Sequence, residues 1–173
     1  MQVIVRARLL IVEDRELIAA KVGRAVSEAG HQVVAMAPTV GAALTALLTH
    51  GEAIDAAILD IDLRGEPVYP IAELLDERGA PFVFLTGYGA SAIDPLWRWV
   101  HRVEKPFETA VLVRALDDAL NDRPGPSPGR SAVSRTTTNR LAMDMIRDTR
   151  DAITEARAMR ESQAASAEGE PRD

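Results

Sequence analysis

Between residues 8 and 121 this chain alternates short apolar runs with helix-patterned segments five times over. The runs are RLLIVED (8–14), HQVVAMA (31–37), DAAILDID (55–62), PFVFLT (81–86) and a brief one within HRVEKPF (101–107). They lack the apolar–polar alternation of a strand with one wet face, so both of their faces must be covered. The segments between them carry helical spacing. Ile18, Val22, Ala25 and Ala29 share one face of the first, which Gly30 stops, and Val40, Ala43, Leu44, Leu47 and Leu48 follow a Thr39 cap in the second. A third helix is expected around 68–78, with Ile71, Leu74 and Leu75 inward. A short one near 91–99 should contain Trp97 and Trp99, and a last one over 108–121 should bury Leu112, Ala115, Leu116 and Ala119. Five such repeats with short connections predict an α/β domain: a doubly wound, five-stranded parallel sheet with helices on both faces.

In an open parallel sheet the ligand sits beyond the carboxyl ends of the strands, where the strand order reverses. Four of the five runs end there on residues that do chemistry. The first stops at Glu13-Asp14, the third at Asp60 with Asp62 two residues on, the fourth at Thr86-Gly87 and the fifth at Lys105-Pro106. In the flavodoxin-like order 2-1-3-4-5, strands one and three are neighbours, so their acids share a pocket. Crowded carboxylates repel unless a cation joins them. A hard ion with oxygen ligands and retained waters, Mg²⁺, suits them and would neutralise the oxygens of an incoming phosphoryl group. An Asp carboxylate can attack phosphorus to give an acyl phosphate, with a Lys ammonium and a Thr hydroxyl on the phosphoryl oxygens.

The set Glu13-Asp14, Asp60, Thr86 and Lys105-Pro106-Phe107 resembles the receiver domains of two-component response regulators. LLIVED, LDIDLRGE, FLTG and EKPF fall at the strand ends and in the order of that family, over about residues 8–121. Phe84-Leu85-Thr86-Gly87 and Leu63-Arg64-Gly65-Glu66 look like a subset of stand-alone, single-domain bacterial receivers. The resemblance implies that Asp60 is the phosphoacceptor, giving an aspartyl phosphate, and Asp14 the main acidic Mg²⁺ ligand. Glu13 would help through water, and Asp62 would offer its backbone carbonyl. Thr86 would be the hydroxyl that moves toward the phosphoryl group. Lys105 would be the pairing cation, followed by a cis bond to Pro106. The implied partners are a sensor histidine kinase or histidine phosphotransfer protein upstream and an output protein downstream, with a homodimer also open. Receivers usually carry Tyr or Phe three residues before that Lys; here the position is Arg102, and Tyr88 is a candidate substitute.

Composition excludes several other classes. There is no Cys, hence no disulfide framework and no thiolate metal site. Residues 1–121 hold 11 basic and 17 acidic side chains, which argues against direct nucleic-acid binding. MQVIVRAR is too short and too interrupted for a signal peptide or a membrane span, so a cytoplasmic protein is expected. Only two lysines occur, Lys21 and Lys105, against 18 arginines. His31, His50 and His101 stand singly without ligand spacing. Trp97 and Trp99, two apart, point differently on a helix, so one is expected at the surface. Asp117-Asp118 reads as a solvated helix face. RPGPSPGRS (123–131) lies in a linker taken as 122–137. A partly helical tail, 138–173, follows, with a thin stripe of Ala142, Ile146, Thr149, Ile153 and Ala156 and a disordered end. The rival reading is a haloacid-dehalogenase-like Mg²⁺-dependent phosphatase using Asp60-Ile61-Asp62, Thr86 and Lys105. That family needs an acidic pair after the Lys, whereas here the pair comes first, at Glu13-Asp14.

Overall fold

The computed structural model describes residues 6–87 and 93–122. Its elements are β1 (Arg8–Val12), α1 (Glu16–Glu28), β2 (Gln32–Ala37), α2 (Val40–His50), β3 (Ala56–Asp60), β4 (Asp62–Leu63), β5 (Glu66–Pro67), α3 (Tyr69–Glu77), β6 (Phe82–Thr86), β7 (Arg102–Glu104) and α4 (Thr109–Asn121). The main sheet is parallel with order β2-β1-β3-β6-β7. With the small β4–β5 hairpin set aside, that is the expected 2-1-3-4-5.

The three central strands are covered on both faces. Every residue of β3 and β6 is buried, as are Leu9 to Val12 of β1. Leu9, Ile11, Ile58, Val83 and Leu85 join Val22 and Val26 of α1 and Leu112 and Leu116 of α4 in one apolar cluster. The intervening residues Leu10, Val12, Leu59 and Phe84 point to the opposite face by the two-residue period of a strand, where α2 and α3 pack against each other. Thr39 caps α2 as expected, its hydroxyl accepting the Ala42 N–H at 3.1 Å, and α1 closes at Gly30 in the left-handed region with φ 90°.

Two expectations need correction. Among residues 93–100 there is a single 3-10 turn, Pro95–Trp97, where a short helix was expected. Pro95 lacks an N–H, and the Asp94 carboxylate accepts the Leu96 N–H at 2.9 Å, closing a tight turn. Trp97 is buried and Trp99 is 45% exposed, in line with one of the pair lying at the surface. Leu48, placed on the apolar face of α2, is 53% exposed, while Val40, Ala43, Leu44 and Leu47 are buried. At 3.6 residues per turn Leu48 lies beyond the buried stripe. The 122–137 linker, apart from Asp122, the helical stripe of the 138–173 tail and Tyr88 lie outside the described residues.

His31 is fully buried at its side chain, and neither ring nitrogen makes a hydrogen bond. Asp117 is 3.7 Å away and also faces Arg6 at 3.7 Å, so it is a paired acid more than a merely solvated one. Burial pushes the imidazole below its usual 6.5; Asp117 opposes this and Arg6 adds to it. The unfolded chain therefore binds the proton more readily than the folded one. The stability that neutral His31 carries is present above about pH 6.5 and is lost as pH falls through that value. We expect the urea midpoint to drop between pH 7.5 and 5.5, and His31→Leu to remove most of that drop. An equal drop in the variant would exclude His31 as its source.

Candidate functional site

Strand register brings the chemistry-bearing residues into one row. Val12 pairs with Leu59, so Glu13 stands level with Asp60. Asp60 in turn pairs with Leu85, and Thr86 with Glu104, so Thr86 and Lys105 close the same edge. The ladder runs on past the strand ends, with Glu13 N–H donating to Ala37 O at 3.0 Å and Lys105 N–H to Thr86 O at 2.7 Å. The Lys105–Pro106 peptide bond is cis.

Lys105 is the hub. Its Nζ lies 2.5 Å from Glu13 Oε2 and 2.8 Å from Asp60 Oδ2. Glu13, Asp60 and Thr86 are all buried. Burial raises the Glu13 carboxyl above its ordinary value; Lys105 and the Arg15 N–H work against that, and the neighbouring Asp60 charge adds to it. Glu13, Asp14 and Asp60 each turn one carboxylate oxygen into a group spanning no more than 4.8 Å. Three hard oxygen donors converging from two strand ends fit a divalent ion of the Mg²⁺ type. Asp14 and Asp60 line an open cavity of about 680 Å³ together with Lys21, Arg64, Lys105 and Phe107.

Asp62 falls outside that carboxylate group. Its Oδ1 accepts the Gly65 N–H at 2.5 Å and so shapes the hairpin that follows. β4 and β5 are joined by Arg64-Gly65, both with positive φ (58° and 90°), the pattern of a tight two-residue turn. Sequence reasoning missed this hairpin and its consequence: the Arg64 guanidinium lies on Asp14, with Nε 3.2 Å from Oδ2. The second lysine was flagged only by its rarity. Lys21 Nζ donates to Phe107 O at 2.6 Å and sits 4.5 Å from the centre of the Phe107 ring. Arg102 is exposed on the edge strand and donates to Arg98 O at 3.4 Å, away from the acids.

Lys105→Ala leaves two adjacent buried carboxylates without their counter-charge. A loss of about 2–3 kcal/mol in the metal-free protein is expected from urea unfolding. Mg²⁺ affinity should hold or rise, since a nearby positive charge is gone.

A five-stranded parallel sheet in this order, with acids on its first and third strands and a lysine on its last, defines a response-regulator receiver domain, and the chain belongs to that family. It is 38% identical to SdrG from Sphingomonas melonis, whose solution structure matches 70% of this chain and 99% of that one with a TM-score of 0.59. The BeF3-activated conformation of SdrG from Pseudomonas melonis matches 65% of this chain and 95% of that one, also at 38% identity, with a TM-score of 0.57. The response regulator receiver protein from Sinorhizobium medicae matches at 26% identity, covering 68% of this chain and 97% of that one with a TM-score of 0.56. No family model and no curated protein sequence matches the chain. These neighbours support a receiver over the haloacid-dehalogenase-like phosphatase. No helix among the described residues is long and apolar enough to cross a membrane.

Proposed function

We propose that this receiver accepts a phosphoryl group on Asp60 from the phosphohistidine of a sensor histidine kinase or a histidine phosphotransfer protein. The observation that carries the reading is the Lys105 ammonium bridging Glu13 and Asp60 beside Asp14. A carboxylate oxygen of Asp60 attacks phosphorus in line with the departing imidazole nitrogen. The P–N bond breaks as the P–O bond forms, leaving an acyl phosphate and, with the departing ring carrying a proton on its other nitrogen, a neutral imidazole. Mg²⁺ held by Glu13, Asp14 and Asp60, with the Asp62 carbonyl, would supply neutralisation of the phosphoryl charge. Lys105, already beside Asp60, pairs with one phosphoryl oxygen, and the Thr86 hydroxyl donates to another. The neighbour described as BeF3-activated supports this reading, because beryllofluoride is a tetrahedral phosphoryl mimic.

Output then runs through protein–protein contacts of a cytoplasmic signalling protein, with residues 1–121 as the phosphoaccepting unit and 138–173 as a separable interaction segment after the linker. Incubation with acetyl phosphate and Mg²⁺ should add one phosphoryl mass, and chelation of the metal should prevent it. No mass gain with any phosphodonor would overturn the proposal.

A further inference from the structure

We propose that Arg64 occupies the metal ligand Asp14 whenever no divalent cation does, and thereby sets the affinity of the pocket for that cation. This rests on the reading of Glu13, Asp14 and Asp60 as the Mg²⁺ site.

The three acids are not compensated alike. Glu13 and Asp60 share Lys105, whereas Asp14 is paired with Arg64. The guanidinium grips Asp14 twice, through Nε to Oδ2 at 3.2 Å and through a terminal nitrogen to the main-chain oxygen at 3.4 Å. Asp14 is largely enclosed, its side chain 11% exposed, while Arg64 reaches it from the solvent side at 76%. The turn aims Arg64 there. Its backbone holds φ 58°, a conformation unusual for a long side chain, and the Asp62 carboxylate pins the next residue through Gly65 N–H. The other lysine on the pocket wall is committed elsewhere, Lys21 to the Phe107 carbonyl.

A carboxylate oxygen held by a guanidinium is not available to a hard cation. Arginine cannot lose its proton at working pH, so a cation on Asp14 must either move the guanidinium off Oδ2 or bind the other oxygen against its charge. Arg64 is therefore a built-in competitor, and metal occupancy is felt in the hairpin 62–67.

The test is Mg²⁺ titration of the full chain, followed by calorimetry and by the amide resonances of 62–67, in wild type, Arg64→Asn, Arg64→Lys and Asp14→Asn. Asn tolerates the left-handed backbone and so removes the charge without forcing the turn open. Arg64→Asn should bind Mg²⁺ about two- to fivefold more tightly at low ionic strength, the range of a solvent-facing ion pair, and the gap should narrow as salt is added. Arg64→Lys should fall between, and the Gly65 amide of wild type should shift as the metal saturates. A merely structural role for Arg64 would move affinity the other way, since a damaged loop binds worse. Unchanged or weaker Mg²⁺ binding by Arg64→Asn overturns the inference while leaving the site intact. Wild-type binding that is absent, or that survives Asp14→Asn, overturns the site reading and the inference with it.

Discussion

Asp60→Asn should abolish phosphoacceptance outright, with no phosphoryl mass gained from acetyl phosphate and Mg²⁺ under conditions that label the wild type. Asn keeps the shape of the side chain but supplies a neutral amide, which is no nucleophile toward phosphorus at ordinary pH. The fold should survive. Lys105 keeps Glu13 at 2.5 Å, and one of two neighbouring buried negative charges is gone. Mg²⁺ affinity should fall, because one of three converging oxygens no longer carries charge. Persistent labelling of Asp60→Asn would move the acceptor to another residue, with Asp14 the first to examine.

Phe84→Ala should be the most damaging core substitution. Phe84 is completely buried in β6, with ring centres of Phe82, Trp97 and Tyr69 at 5.4, 6.1 and 6.3 Å. Removing a buried aromatic costs about 3–5 kcal/mol through lost transfer energy and the cavity left behind. That is a large share of the roughly 5–15 kcal/mol that holds a domain together. The urea midpoint should collapse accordingly, and the tryptophan emission should lose its native position early in the titration. A loss below about 1 kcal/mol would mean that Tyr69 and Trp97 close over the gap. The ring cluster also ties segment 93–100 to α3, where the Tyr69 hydroxyl accepts the Asp94 N–H at 3.1 Å.

The strands and the residues at their ends were legible because burial on both faces leaves a plain mark, an apolar run that stops where solvent begins. Leu9 to Val12 and Ala56 to Leu59 are such runs, and Glu13 and Asp60 stand where they stop. A parallel sheet followed from the short connections, and the meeting of Glu13 and Asp60 from the flavodoxin-like order expected of it. What stayed hidden depends on partners far apart in the chain or on backbone angles without a residue signature. The Arg64–Asp14 pair spans 50 positions and needs a turn with positive φ at an arginine, a residue that gives no warning of it. His31 gave no sign that it would be buried without a hydrogen bond, since a lone histidine beside Gly30 reads equally well as surface. The 3-10 turn at 95–97 escaped because it rests on Pro95 and on the Asp94 carboxylate accepting the Leu96 N–H, a bond that apolar spacing does not reveal.

The two side-chain amines of the chain both lie on the wall of one pocket, Lys105 clamped between Glu13 and Asp60 and Lys21 held over Phe107. Surface attachment through side-chain amines would thus tether the molecule by the rim of its own reactive pocket and turn that face toward the support. Binding would then be measured on a blocked face. The same placement makes any acetyl adduct on a lysine, a side product of acetyl phosphate, a report on this pocket alone. Arginine at the remaining 18 basic positions leaves no other side chain open to amine chemistry.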